Sequence, residues 1–135
     1  MRPKIVPPHL SDHILPFQWD VREVWKLPGE VMLRPRADYD YLLDLPLWSS
    51  VPEQGMLFDI SPREVILDAE QSPFQTERVR MADMRYPIDF VETDGRLWIL
   101  DGVHRLARHY QMGTVFIRVR CHPGSVIPRI VTGDR

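Results

Sequence analysis

Thirteen prolines, at positions 3, 7, 8, 16, 28, 35, 46, 52, 62, 73, 87, 123 and 128, limit what this chain can fold into. Proline lacks a backbone N–H and disfavours helix in the residue before it, so most helices and strands must be short. The last third, between Pro87 and Pro123, reads most clearly. Pro87-Ile88-Asp89-Phe90-Val91-Glu92 alternates apolar and polar residues, as a half-buried strand does. Thr93-Asp94-Gly95-Arg96 carries the Asp-Gly hairpin signal, and Leu97 to Leu100 returns as a more buried strand. Asp101 is placed to cap a helix in which Val103, Leu106, Ala107 and Tyr110 fall at i, i+3, i+4 and i+7. Gly113 is placed to stop it. Thr114 to Arg120 gives another strand, with Val115, Ile117 and Val119 on one face.

The earlier part is more broken. Residues 1–18 read as an extended arm. A short helix is expected from Val21 to Leu27, with Asp20 as N-cap and Glu23 completing a capping pattern. Val31-Met32-Leu33 reads as a short strand, Tyr39 to Leu45 as a helical segment, and Pro52-Glu53-Gln54-Gly55 as a turn. Ser61-Pro62-Arg63-Glu64 either opens a helical turn or precedes a strand through Leu67. A helix from about Gln75 to Met84 turns Thr76, Val79, Ala82 and Met84 inward. The whole is expected to be an α+β chain: an irregular, aromatic-rich extension over residues 1–55, packed on a domain over residues 56–135 with a small mixed sheet.

The chain of 135 residues has 17 basic and 19 acidic side chains, so it lacks the basic excess on which nonspecific DNA binding depends. Residues 61–135 hold 11 basic residues, all of them arginine, the side chain suited to bidentate phosphate or carboxylate recognition. A coding bias toward arginine gives the same count. One cysteine, Cys121, excludes an internal disulfide and a multi-cysteine metal site. The opening MRPKIVPPHL has no apolar run of signal-peptide length, and no stretch reaches the roughly 18 apolar residues of a membrane span. A soluble, cytoplasmic protein is expected.

The helix start at Asp101-Gly102-Val103-His104-Arg105 is the candidate site. Helix N-termini leave N–H groups unpaired and carry partial positive charge, and Gly102 removes a side chain where a ligand would approach. Stability alone favours acidic residues in a first turn, whereas this one holds His104 and Arg105. That pattern points to a phosphate or carboxylate site. The competing reading is that Arg105 pairs with a nearby carboxylate and His104 only packs.

Tyr86-Pro87-Ile88-Asp89, the hairpin, and Leu100-Asp101-Gly102-Val103-His104-Arg105-Leu106 together resemble the ParB/sulfiredoxin superfamily. The resemblance is clear over residues 86–122 and extends over roughly 57–131. It implies a sulfiredoxin-like fold in which the helix opening binds nucleotide phosphates, with Gly102, His104 and Arg105 as contacts. The helix before the Pro-Ile strand borders the nucleotide site, which brings in Arg78, Arg80 and above all Arg85. Val103 departs from the family: sulfiredoxins have their catalytic Cys there and ParB proteins a Glu. A valine forms no thiolate, so sulfiredoxin chemistry is not expected. Cys121 to Arg135 is too short for the helix-turn-helix of ParB proteins, so DNA is not an expected partner. The free-serine kinase branch has an Asp-Gly-x-His-Arg version, which gives Asp101 and His104 as catalytic candidates. The function implied is binding of a nucleotide or phosphorylated small molecule, such as ATP or ADP with Mg2+. Turnover, if any, would be phosphoryl transfer or nucleotide hydrolysis. The alternative is a non-catalytic interaction module on the same fold.

Other residues carry weaker readings. His9 and His13 stand four apart, a metal-binding spacing on a helix, but Pro7, Pro8 and Pro16 argue against a helix there, and no metal site is expected. His109 is expected at the solvent edge of the main helix. Cys121-His122 reads as a buried thiol beside an exposed imidazole, since strand neighbours point to opposite faces. Phe17, Trp19, Trp25, Tyr39, Tyr41 and Trp48 either pack the first part onto the sheet or form a surface for a second copy or another protein.

Overall fold

The computed structural model describes residues 5–52 and 57–131. Its helices are α1 (Val21–Trp25), α2 (Pro62–Leu67), α3 (Pro73–Arg80), α4 (Val103–Met112) and α5 (Ile127–Ile130). Its strands are β1 (Met32–Pro35), β2 (Ile88–Thr93), β3 (Arg96–Asp101) and β4 (Phe116–Pro123), in one sheet of order β1-β4-β2-β3. β2 runs antiparallel to β3 and parallel to β4, so the sheet is mixed and the class is α+β. Among the described residues no helix is long and apolar enough to cross a membrane. The turn expected at Pro52-Glu53-Gln54-Gly55 lies outside the described residues from Glu53 onward.

Two compact units divide the chain. The first comprises Met1–Met32, Ile88–Gly102 and Val119–Arg135. Its β2–β3 hairpin turns on Asp94 (φ 54°) and Gly95 (φ 74°), the pair of positive dihedrals a two-residue hairpin needs. The 13–19 segment is tied along β3: the Ile99 N–H donates to His13 O at 3.0 Å, and Trp19 Nε1 to Leu100 O at 3.0 Å. α1 is capped as expected, with the Asp20 carboxylate accepting from the Arg22 N–H at 2.9 Å. The core is built from Leu15, Val24, Leu27, Val91, Leu100, Val126 and Ile130. Each such side chain withdrawn from water contributes about 1.5–3 kcal/mol. The alternating pattern of β2 is not a half-buried one: Ile88, Asp89, Phe90 and Val91 are all buried. β2 lies between two strands, and both of its faces are covered, so even the polar position is internal.

The second unit comprises Leu33–Pro87 and Val103–Arg118. Ser61 opens α2 with a complete capping box, its side chain accepting from the Glu64 N–H while the Glu64 carboxylate accepts from the Ser61 N–H. That, with Pro62 in the first turn, selects helix over strand for this segment. The segment read as helix over Tyr39–Leu45 is a 3-10 helix over Arg36–Asp44. α3 starts two residues before its expected first residue, because Ser72 accepts from the Gln75 N–H and Pro73 takes the first helical position. It ends at Arg80, so Ala82 and Met84 lie beyond it. α4 packs on α2, α3 and the 3-10 segment through Leu106 and Ala107, and Gly113 follows its last residue. Val115, expected to share a strand face with Ile117 and Val119, precedes β4 and is exposed, whereas those two are buried.

Candidate functional site

The Asp-Gly-Val-His-Arg segment runs from the end of a strand into a helix. Asp101 is the last residue of β3, and Gly102 is the residue flanking α4. Asp101 Oδ2 accepts from Trp25 Nε1 at 2.9 Å within the first unit. Gly102, between Asp101 and the first residue of α4, is buried and has φ 118°. Few L-residues adopt that dihedral, so the joint requires glycine.

α4 has ten residues and no acidic side chain in its first turn. His104 is stacked on the buried Trp48, with ring centroids 4.2 Å apart and planes 9° from parallel. Its Nε2 lies 2.7 Å from Gln75 Oε1. The Gln75 amide nitrogen donates to Ser49 O at 2.8 Å, so its oxygen is the end left to accept, and the proton of His104 sits on Nε2. Burial, and then the charges of Arg78 and Arg105, push the His104 imidazole down to about 3. At neutral pH it is uncharged, and with its one N–H engaged by Gln75 it has only the acceptor Nδ1 left for a ligand and no positive charge.

Arg105 Nη2 donates to Pro87 O at 3.2 Å. Arg85 pairs with Asp83 at 2.7 Å; this bond, with a smaller contribution from Arg105, lowers the Asp83 carboxyl to about 2. Arg118 donates to Met84 O at 3.1 Å and Arg85 O at 2.8 Å. Arg78 lies over the Phe74 ring and Arg80 pairs with Glu77. The second unit thus gathers Arg78, Arg85, Arg105 and Arg118 around the first turn of α4 and the Met84–Pro87 segment. Of the expected residues, His104, Arg105 and Arg85 fall in this unit, while Asp101 and Gly102 close the first.

The donor set does not build a magnesium site from protein groups. Among the described residues no three His, Cys, Asp or Glu side chains gather, and one oxygen of Asp101 is taken by an indole. A single carboxylate does not hold Mg2+ without oxygens from a ligand. His9 lies in the 3-10 turn Pro8–Leu10, and His13 lies beyond it. His109 is half-buried, as its expected place at the solvent edge of the helix allows, with its Nδ1 3.1 Å from Thr114 Oγ1. Burial foremost, then Arg118, lowers its pKa.

The sequence reading missed the most buried polar group of the first unit and inverted its neighbour. His122 is 1% exposed and Cys121 is the half-buried residue, because His122 bonds the buried Asp89 of β2. Asp89 Oδ1 accepts from His122 Nε2 at 2.9 Å and from Arg120 Nε at 2.7 Å. Arg120 also donates to Leu27 O at 2.8 Å and Val24 O at 3.3 Å, the carbonyls at the end of α1. This internal brace ties β2, β4 and α1 together. The only trace in the sequence is a polar residue inside an apolar strand, and pairing it with Arg120 requires knowing the parallel register Asp89↔Arg120.

No protein-family model matches the chain, and no curated protein matches it. Among solved structures it is similar to the crystal structure of sulfiredoxin from Arabidopsis thaliana, with 20% identity and a TM-score of 0.36, over 70% of this chain and 86% of that one. A likeness of that degree assigns neither residues nor activity.

Proposed function

We propose that this protein binds the phosphate of a nucleotide or small phosphorylated molecule at the first turn of α4, and that His104 plays no charged part in it. The observation that carries the reading is the ten-residue α4, which opens without an acidic side chain while Arg105 and Arg78 both bear on that turn. Unpaired N–H groups, the helix dipole and two guanidinium groups all favour an anion there. The Asp-Gly-Val-His-Arg resemblance points the same way. Val103 and the neutral, half-buried His104 favour binding without turnover.

The test is a thermal-shift panel of ATP, ADP, CTP, GTP, inorganic phosphate and phosphoserine, with and without Mg2+, run beside Arg105→Ala. A ligand at 100 times its Kd adds about 2.7 kcal/mol, a rise of roughly 5–15 °C for a domain of this size. The ligand-induced rise, scored against each variant's own midpoint, should be lost in Arg105→Ala. A flat panel for the folded wild-type protein overturns the reading.

A second reading, a protein-interaction module, is favoured by Trp25, which is 56% exposed in the aromatic-rich first part. Trp48 and Tyr39 are buried and so are accounted for by packing. Concentration-dependent assembly, abolished by Trp25→Ala and indifferent to phosphate, would support it.

A further inference from the structure

We infer that the open edge of the sheet, strand β1, pairs antiparallel with β1 of a second copy of this chain about a two-fold axis at Met32. The inference does not depend on the anion site. In the order β1-β4-β2-β3 only β1 and β3 have an edge to offer. The β3 edge is engaged, since the Ile99 N–H donates to His13 O and Trp19 Nε1 to Leu100 O. On β1 the direction of the backbone follows from its far end, where the Arg36 N–H donates to Val115 O at 2.9 Å, toward β4. Successive residues of a strand point their N–H and C=O groups to opposite sides, so those of Leu33, three residues earlier, point away from β4. Leu33 is 67% exposed, and Phe116 on the adjacent strand is 59% exposed. Glu30 and Val31, just before β1, are exposed and lie in no helix or turn, so they can continue the strand.

Outward backbone groups on an edge are a template for another strand, and charged residues there ordinarily repel a copy of the same edge. Here the two charges are opposite in sign and equidistant from Met32, in the run Glu30-Val31-Met32-Leu33-Arg34. An antiparallel pair centred on Met32 sets Glu30 of each copy opposite Arg34 of the other, and Val31 opposite Leu33. Side chains alternate between faces, so two charge pairs flank the methionines on one face and two apolar pairs lie on the other. The outward groups of Val31 and Leu33 are then the ones that exchange hydrogen bonds across the axis. Pro35 has no N–H to offer and ends the pairing. A strand complementary to itself in this way makes an isologous contact, which closes at two copies.

The test is analytical ultracentrifugation of the full chain over a concentration series, in the wild type, Glu30→Arg, Arg34→Glu and an equal mixture of those two variants. The wild type should show a monomer–dimer equilibrium. Either variant alone sets like charges opposite each other twice, and should raise the dimer dissociation constant about tenfold. The mixture should restore the dimer, because every pair between the two variants is again of opposite charge. That rescue also controls for folding, since a variant that failed to fold could not be recovered by the other. A wild-type chain that stays monomeric would leave the edge to an extended segment of another protein and overturn the second copy as its occupant. Assembly that ignores both substitutions, or a mixture no better than its components, would overturn the pairing. Dimers lost in Trp25→Ala but kept in both charge variants would place the contact at the aromatic surface and overturn the β1 edge.

Discussion

His122 Nε2 donates to Asp89 Oδ1 across 2.9 Å, and each of these two residues is 1% exposed. Asp89 also receives Arg120, so one carboxylate oxygen organises two cationic or polar partners on the adjacent parallel strand. Arg120 in turn closes the carbonyl end of α1. A carboxylate withdrawn from water this completely persists only because its partners replace hydration, and those partners depend on it equally.

Asp89→Ala should therefore cost about 3–5 kcal/mol, since it leaves Arg120 and His122 buried without their acceptor. The exposed pair Arg96–Asp12 is the control, and Asp12→Ala should change stability by no more than about 1 kcal/mol. Urea denaturation midpoints compare the two. A loss for Asp89→Ala no larger than for Asp12→Ala would remove the brace from the account of the first unit.

His104 makes stability depend on pH in a definite direction. Its folded pKa, about 3, lies below the ordinary histidine value, so between those pH values the unfolded chain binds the extra proton. Its contribution is fully present above about pH 7 and is lost as pH falls toward 3. From the two pKa values the loss is about 2 kcal/mol by pH 5. His109, also lowered, adds to the same trend. His104→Gln should flatten the urea midpoint between pH 7 and 5. An unchanged pH slope in that variant would show that His104 is not held neutral.

These two clusters mark where sequence reasoning stops. The hairpin at Asp94-Gly95 and the inward face of α4 at Leu106 and Ala107 are local signals, carried by residues within a few positions of one another. The Asp89–His122 and Gln75–His104 bonds link residues 33 and 29 positions apart. Gln75 was not on the expected inner face of its helix because its buried amide is tolerable only once both ends have partners, and those come from Ser49 and His104. Alternation in β2 likewise says which residues share a face but not whether the second face is covered. The anion-attracting features of the candidate site were legible for the same local reason. The stacking of His104 on Trp48, and the burial and neighbouring arginines that leave it neutral, were not.

Ser61 offers a smaller effect on one element. Its hydroxyl accepts from the Glu64 N–H at 3.1 Å, and the Ser61 N–H donates to Glu64 Oε1 at 3.2 Å. Ser61→Ala removes half of this box at a buried position and should cost about 0.5–2 kcal/mol. Ser61→Asp keeps an acceptor at the cap but must bury a charge, so it should restore only part of the loss. Matched thermal melts rank the three proteins, and Ser61→Ala melting with the wild type would show that Pro62 alone starts α2.

Gly102 and Gly95 separate two reasons for glycine with the same substitution strategy. Gly95 has φ 74° in a hairpin turn, and a Cβ built there meets nothing within 4 Å. Asparagine tolerates that left-handed region, so Gly95→Asn should stay within about 1 kcal/mol of the wild type. Gly102 has φ 118°, beyond the region asparagine visits, and is itself buried. Gly102→Ala and Gly102→Asn should each cost about 1–3 kcal/mol, because the strain falls on the joint itself. Relief of that strain would rotate the first peptide units of α4, whose N–H groups form the proposed anion site. A Gly102→Ala protein that is still folded should therefore also lose most of its phosphate-induced thermal shift, while Gly95→Asn keeps it. Equal tolerance at the two positions would mean that the helix start can adjust, and that its backbone geometry is not what selects an anion.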